Sequence, residues 1–208
     1  MQRVASLAVS LFVLASTELL HAQEQITDQV AVTVLRDQVF AATTGEGLIR
    51  VNLSAGERVV LMEAEGLNAL VITSTRLLGF SGQVQRWSEQ RLNLNEEVRD
   101  RKVMPRLVMV RTDKRVFGFQ GPAGRWKMEE FNLSEEFREM LAATDIAVVI
   151  TSRRVLGFSA FTGGFFSQDL STDEVVLETK VNDNIVILST AARRLIFRAQ
   201  LGIWAELR

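Results

Sequence analysis

Residues 148–158 read VVITSRRVLGF: an apolar run, a short polar break, and a second apolar run closed by Gly-Phe. Two short β-branched runs across a two-residue turn predict a β-hairpin. The same text recurs as LVITSTRLLGF at 70–80 and MVRTDKRVFGF at 109–119. Anchored on the closing Phe, the copies fall at Phe40, Phe80, Phe119, Phe158 and Phe197, with spacings of 40, 39, 39 and 39 residues. Seven residues before each anchor stands a Thr: Thr33, Thr73, Thr112, Thr151 and Thr190. Four before it stands an Arg: Arg36, Arg76, Arg115, Arg154 and Arg193. Seven after it stand Gly47, Trp87, Trp126, Phe165 and Trp204. A fixed period in this range marks a solenoid or a propeller.

Within a copy, NALVIT (68–73) is almost wholly apolar and is expected to be buried on both faces. RLLGFS (76–81) follows across a tight turn, and RWSEQRLNL (86–94) alternates as a half-buried strand does. EVRDRKV (97–103) is the most polar segment and is expected to lie outermost. About 39 residues in four antiparallel strands make one propeller blade. The expected fold is therefore all-β, a five-bladed β-propeller of four-stranded repeats. The aromatic positions should fill the faces between blades, and Gly79, Gly118 and Gly157 should let a neighbouring ring approach closely. The fifth copy stops at Arg208 after its third strand. The last blade is thus expected to be three-stranded, or to be closed by a short N-terminal strand that hides its edge.

The segment TSRRVLGFSAFTGGFF (151–166) resembles the blades of quinoprotein-type propellers: strand, turn, apolar-aromatic strand, Thr-Gly turn, aromatic. The resemblance extends over all five copies, residues 30–208, as a blade pattern. It implies the architecture alone. The family's Asp after the second strand is missing and Thr-Gly occurs in one copy, so neither a quinone site nor dehydrogenase activity is carried over.

Charge excludes some functions. The 24 Lys and Arg stand against 25 Asp and Glu, for a net charge of −1. This lacks the basic excess that nucleic acid or an anionic membrane surface would require. The N-terminus opens with MQR, followed by the apolar run VASLAVSLFVLA (4–15), too short to span a bilayer. STELLHA (16–22) then resembles a cleavage region. Residues 1–22 are expected to be a signal peptide cut after Ala22, with cleavage after Ala15 or an uncleaved anchor as alternatives. Residues 23–208 would form one periplasmic or secreted domain with no stable membrane insertion after cleavage. The chain has no Cys, and its one His, His21, falls in the leader. A mature chain without His, Cys or Tyr has no Ser-His-Asp or Cys-His catalysis and no imidazole or thiolate metal site. No cofactor and no metal are expected.

The five Arg positions admit two readings. One is a ring of cations that binds an anion. The other is cross-strand pairing, with Arg76 opposite Asn93, Arg115 opposite Asn132, Arg36 near Asn52 and Arg154 near Asp169. Repetition of the polar partner favours the second. At the opposite end, Asp28, Asp145 and Asp183 occupy near-equivalent loop positions, and Phe161 is the aromatic that stands out in these loops. The acids are either a carboxylate pair or solvated turn residues. The expected function is a non-catalytic binding or scaffold module for a protein or glycan partner outside the cytoplasm. The alternative is a small carboxylate-based glycan hydrolase.

Overall fold

The structure is a computed structural model that describes residues 24–27, 29–45 and 47–207. Those residues form five four-stranded antiparallel sheets, each made of four consecutive strands in chain order. Sheet 1 runs over 24–52, sheet 2 over 59–91, sheet 3 over 98–130, sheet 4 over 137–169 and sheet 5 over 176–207. In sheet 2 the strands are Val59–Glu65, Asn68–Thr73, Arg76–Ser81 and Arg86–Arg91. The expected signal peptide, residues 1–22, and Asp28 lie outside the described residues.

Continuous apolar text is read as double burial. Asn68–Thr73 and Ile146–Thr151 are buried along their whole length, because a sheet packs on each face. Buried clusters join sheets 1 and 2, 2 and 3, 3 and 4, and 4 and 5. At the three interfaces among sheets 2 to 5 a Phe of the later sheet lies on a glycine of the earlier one. A Cβ added to Gly79 would come within 2.8 Å of the Phe119 ring, to Gly118 within 2.4 Å of Phe158, and to Gly157 within 2.6 Å of Phe197. The Trp positions brace these rings: the Phe80–Trp87, Phe119–Trp126, Phe158–Phe165 and Phe197–Trp204 centroids are 5.1, 5.0, 4.9 and 5.0 Å apart. Each such ring buries about 150–250 Å², so each contributes several kcal/mol of gross apolar stabilisation at about 25 cal/mol/Å². The expected role is observed for the three glycines and for the aromatics of sheets 2 to 5, but Phe40 lies outside the buried cluster between sheets 1 and 2.

Three expectations need correction. EVRDRKV opens the next sheet instead of ending its own: Val98–Val103 pairs with Leu107–Thr112. Connector 92–97 therefore passes between sheets. The last sheet changes accordingly. Val176–Asn182 supplies its first strand, so sheet 5 has four strands, and the N-terminal strand Glu24–Ile26 pairs with Val30–Leu35 of sheet 1. The last sheet is neither three-stranded nor closed by an N-terminal strand, because every sheet begins one strand earlier than the repeat pattern suggests.

The first copy is displaced by two residues. Val34 pairs with Val39 and Ala31 with Ala42, where sheet 2 pairs Ile72 with Leu77 and Ala69 with Phe80. The first-sheet counterparts of Thr73, Arg76 and Phe80 are thus Leu35, Gln38 and Ala42, and not Thr33, Arg36 and Phe40. Leu48, opposite Ala42, replaces Trp87 in the way Gly47 was expected to. Strand alternation hides such a slip, since a shift of two keeps every side chain on its face. Arg36 itself sits in the hairpin turn at φ 56°.

Candidate functional site

The Thr-x-x-Arg positions of sheets 2 to 5 are structural clamps built around a glutamate. In sheet 2, Glu57 closes the turn that leads into the sheet, its Oε2 accepting from the Ser54 N–H at 2.7 Å. Its Oε1 accepts from Thr73 Oγ1 at 2.6 Å and from Arg76 Nε at 2.8 Å. Arg76 Nη2 then donates to the Asn52 carbonyl of sheet 1 at 2.6 Å. The same set recurs as Glu96, Thr112 and Arg115, with the Arg91 carbonyl of sheet 2. It recurs again as Glu135, Thr151 and Arg154, with the Glu130 carbonyl, and as Glu174, Thr190 and Arg193, with the Asp169 carbonyl. Each guanidinium thereby holds the connector entering its own sheet and the last strand of the sheet before.

The four glutamates are almost sealed, with side chains 1%, 0%, 0% and 4% exposed. Burial opposes ionisation of Glu57, but the bonds from Arg76, Thr73 and Ser54 outweigh it and bring the carboxyl from 4.5 to about 2. The Arg193 bonds do the same for Glu174, also to about 2. Glu96 and Glu135 are lowered against burial by Arg115 and Arg154. With a carboxylate on every one of these guanidiniums, the clamps are not a ring of free positive charge.

The expected Arg partners are therefore corrected. Arg154 does pair in register with Asp169, yet Arg76 faces Arg91 and Arg115 faces Glu130, and the bonded carboxylate lies in the connector. Sequence reasoning missed Glu57, Glu96, Glu135 and Glu174, although they recur at an exact period of 39, each 16 residues before its Thr.

The other end of the sheets carries the group that breaks the repeat. Arg106 comes from the first hairpin loop of sheet 3, Asp145 and Asp183 from the equivalent loops of sheets 4 and 5, and Phe161 from the third hairpin loop of sheet 4. Arg106 Nε lies 3.0 Å from Asp145 Oδ1, and the Arg106 guanidinium stacks 4.9 Å above the Phe161 ring. That approach is off the hydrogen-bond direction, so Asp145 Oδ1, buried, accepts no hydrogen bond. Burial raises the Asp145 pKa, Arg106 opposes the rise, and the charge of Asp183 adds to it. Asp183 Oδ1 accepts from the Thr144 N–H at 3.4 Å. Gln120 Nε2 steadies the Phe161 loop through the carbonyls of Ala160 and Phe161, both at 3.0 Å.

Of the three acids singled out in the sequence, Asp145 and Asp183 are thus brought together. Chemically the cluster offers a part-exposed ring, a guanidinium and two carboxylates within one patch. At the clamp end a groove of about 900 Å³ is bordered by Ser134, Arg138, Arg153 and Asp173. Among the described residues no three His, Cys, Asp or Glu converge as metal ligands, and no helix is long and apolar enough to cross a membrane.

No known protein family matches the chain, and no curated protein matches its sequence. Among solved structures it is similar to the N-terminal domain of Nup159, at 9% identity and a TM-score of 0.38, over 88% of this chain and 60% of that one. It is similar to Prp20p of Saccharomyces cerevisiae at 8% identity and a TM-score of 0.41, over 84% and 56%. It is similar to Hsv2 of Kluyveromyces lactis at 10% and 0.39, over 90% and 62%. The chain spans less than two thirds of each of these proteins. Likeness at this level assigns neither an activity nor a partner.

Proposed function

We propose that the chain is an exported, non-catalytic five-bladed β-propeller that binds a protein or glycan partner outside the cytoplasm through the Arg106–Phe161 patch. The observation that carries this reading is the break in symmetry. The repeated polar positions of sheets 2 to 5 are used in holding sheet to sheet, whereas the patch is built from side chains that do not repeat. A part-exposed aromatic beside fixed charges suits recognition, through ring stacking and directed polar contacts. Export rests on the leader-like residues 1–22, with the mature chain starting at Gln23. Closure into a ring rests on the apolar faces that sheets 1 and 5 turn away from their neighbours.

A pull-down from the cell envelope, run beside a glycan array, tests the binding reading. Phe161→Ala should abolish capture while leaving the β-sheet circular dichroism and melting temperature within a few degrees of the parent; capture unaffected by this change would refute the patch. The hydrolase alternative draws on the meeting of Asp145 and Asp183. Glycan cleavage lost in both Asp145→Asn and Asp183→Asn would establish it, and the same array, read for released sugar, supplies the assay.

A further inference from the structure

We propose that the Arg106–Phe161 patch binds a neutral glycan, taking the vicinal hydroxyls of one sugar between the Arg106 guanidinium and the carboxylates of Asp145 and Asp183, with Phe161 against the C–H face of the ring. This rests on the binding reading above and names its ligand. Hydrogen-bonding capacity of both kinds is left unused in the patch. Asp145, its side chain 9% exposed, lies against Arg106 Nε, yet its Oδ1 accepts no hydrogen bond. The Arg106 guanidinium meets the protein through that ion pair and the Phe161 ring, and its Nη atoms donate to no acceptor among the described residues. A donor and an acceptor unmet side by side fit a hydroxyl, which donates and accepts through one oxygen. A charged side chain of a protein partner would satisfy one of the two and be repelled by the other. Phe161, 37% exposed, adds an apolar surface for the sugar ring.

Three of the four groups are fixed before any ligand arrives. Ser159 Oγ accepts from the Phe161 and Thr162 N–H groups at 3.1 and 3.3 Å, on the side of the loop opposite the Gln120 bonds. Gly163 follows at φ 68°, and Gln120 Oε1 occupies the space a Cβ there would need, so the loop that carries the ring is wedged in place. The Asp145 carbonyl accepts from the Ala160 N–H at 2.9 Å, which ties the acid's loop to the ring's loop. Asp183 is bonded to the Thr144 N–H, and its own N–H donates to Asn182 Oδ1 at 2.8 Å. Arg106 is the adjustable member, its side chain 42% exposed and without a hydrogen bond to break. It covers Asp145 Oδ1, and rotation about its side-chain bonds admits a hydroxyl between them. Groups held ready in this way lower the cost of binding. Charge selects among sugars. Asp183 is near enough to act on Asp145, so two carboxylates face one guanidinium, and an anionic sugar is disfavoured.

The probe is an array of neutral glucose, galactose and mannose oligomers printed beside polyuronates. The protein should be retained on neutral spots and not on the polyuronates. Mild periodate oxidation of the array, which cuts the bond between two hydroxyl-bearing carbons, should abolish retention. Arg106→Ala should weaken it by about tenfold or more, as loss of hydrogen bonds from a charged group does, with the melting temperature within a few degrees of the parent. No neutral glycan retained, or retention indifferent to periodate and to Arg106→Ala, would overturn the sugar. An envelope pull-down separates the two levels. A protein captured from periodate-treated extract and lost with Phe161→Ala keeps the patch and refutes the sugar, whereas binding that survives Phe161→Ala refutes the patch itself.

Discussion

Glycine at 118 is a packing requirement, since the strand there carries no unusual backbone angle. The Phe158 ring occupies the space a side chain would need, at 2.4 Å from an added Cβ. Gly118→Ala should therefore destabilise by about 1–3 kcal/mol, as overpacked cores do, measured by urea unfolding. Arg111 is the reverse case, a side chain that the repeat would not have chosen. It stands where the second strands of sheets 2 and 4 have Ile72 and Ile150. Its guanidinium stacks 3.9 Å above Phe137, its Nε is buried without a hydrogen bond, and burial lowers its pKa. The stacking is worth about 0.5–2 kcal/mol, against about 1–3 kcal/mol for the unsatisfied donor. Arg111→Ile should raise the melting temperature; a fall would mean that the stack outweighs the buried donor. Gly118 was visible in the text as a repeat position; Arg111 was not singled out there, and sheet 5 departs at the same position with Ser189. The ring each one meets belongs to another sheet and could not be read from its own strand.

At the scale of the element, the hairpin was legible and its bracing was not. Alternation and the Thr-x-x-Arg spacing gave the strands and turns. The glutamate that completes each clamp lies 19 residues before its Arg, beyond the reach of a local pattern. Clamping has a pH signature. Glu57 and Glu174 titrate near 2 in the folded chain and near 4.5 when free. Between those values the unfolded chain binds more protons, so stability is fully present above about pH 4.5 and falls as pH drops towards about 2. Melting temperature should decline across that window, and Glu174→Gln should lower it at neutral pH while flattening the decline. An unchanged slope in the variant would remove Glu174 from the account.

Across the whole molecule, sheets 2 to 4 are covered on two faces by their neighbours and sheets 1 and 5 on one. The second strand of sheet 1 alternates buried and part-buried residues, whereas that of sheet 2 is buried throughout. Local opening follows burial, so closure into a ring should protect the amides of Val30–Leu35 and Ile185–Thr190 about as well as those of Asn68–Thr73, Leu107–Thr112 and Ile146–Thr151. Markedly faster exchange in the two end strands would refute closure. The loop patch belongs to this scale as well. Asp145 and Asp183 stood in the sequence as equivalent loop acids, but the Arg106 that pairs with Asp145 and the Phe161 ring against that guanidinium come from loops far apart along the chain.

By itself the sequence determined the repeat, the all-β class, the aromatic and glycine repeat positions and the absence of His, Cys and Tyr from residues 23–208. These are local or strictly periodic properties, and one hairpin contains them. The tertiary structure decided where each sheet begins, which residues of the first copy are equivalent to the others, and what the arginines hold. Those depend on pairing partners and on the sheet next door. A pattern that looks the same after a shift of two residues, or of one strand, carries no mark of where its sheet starts.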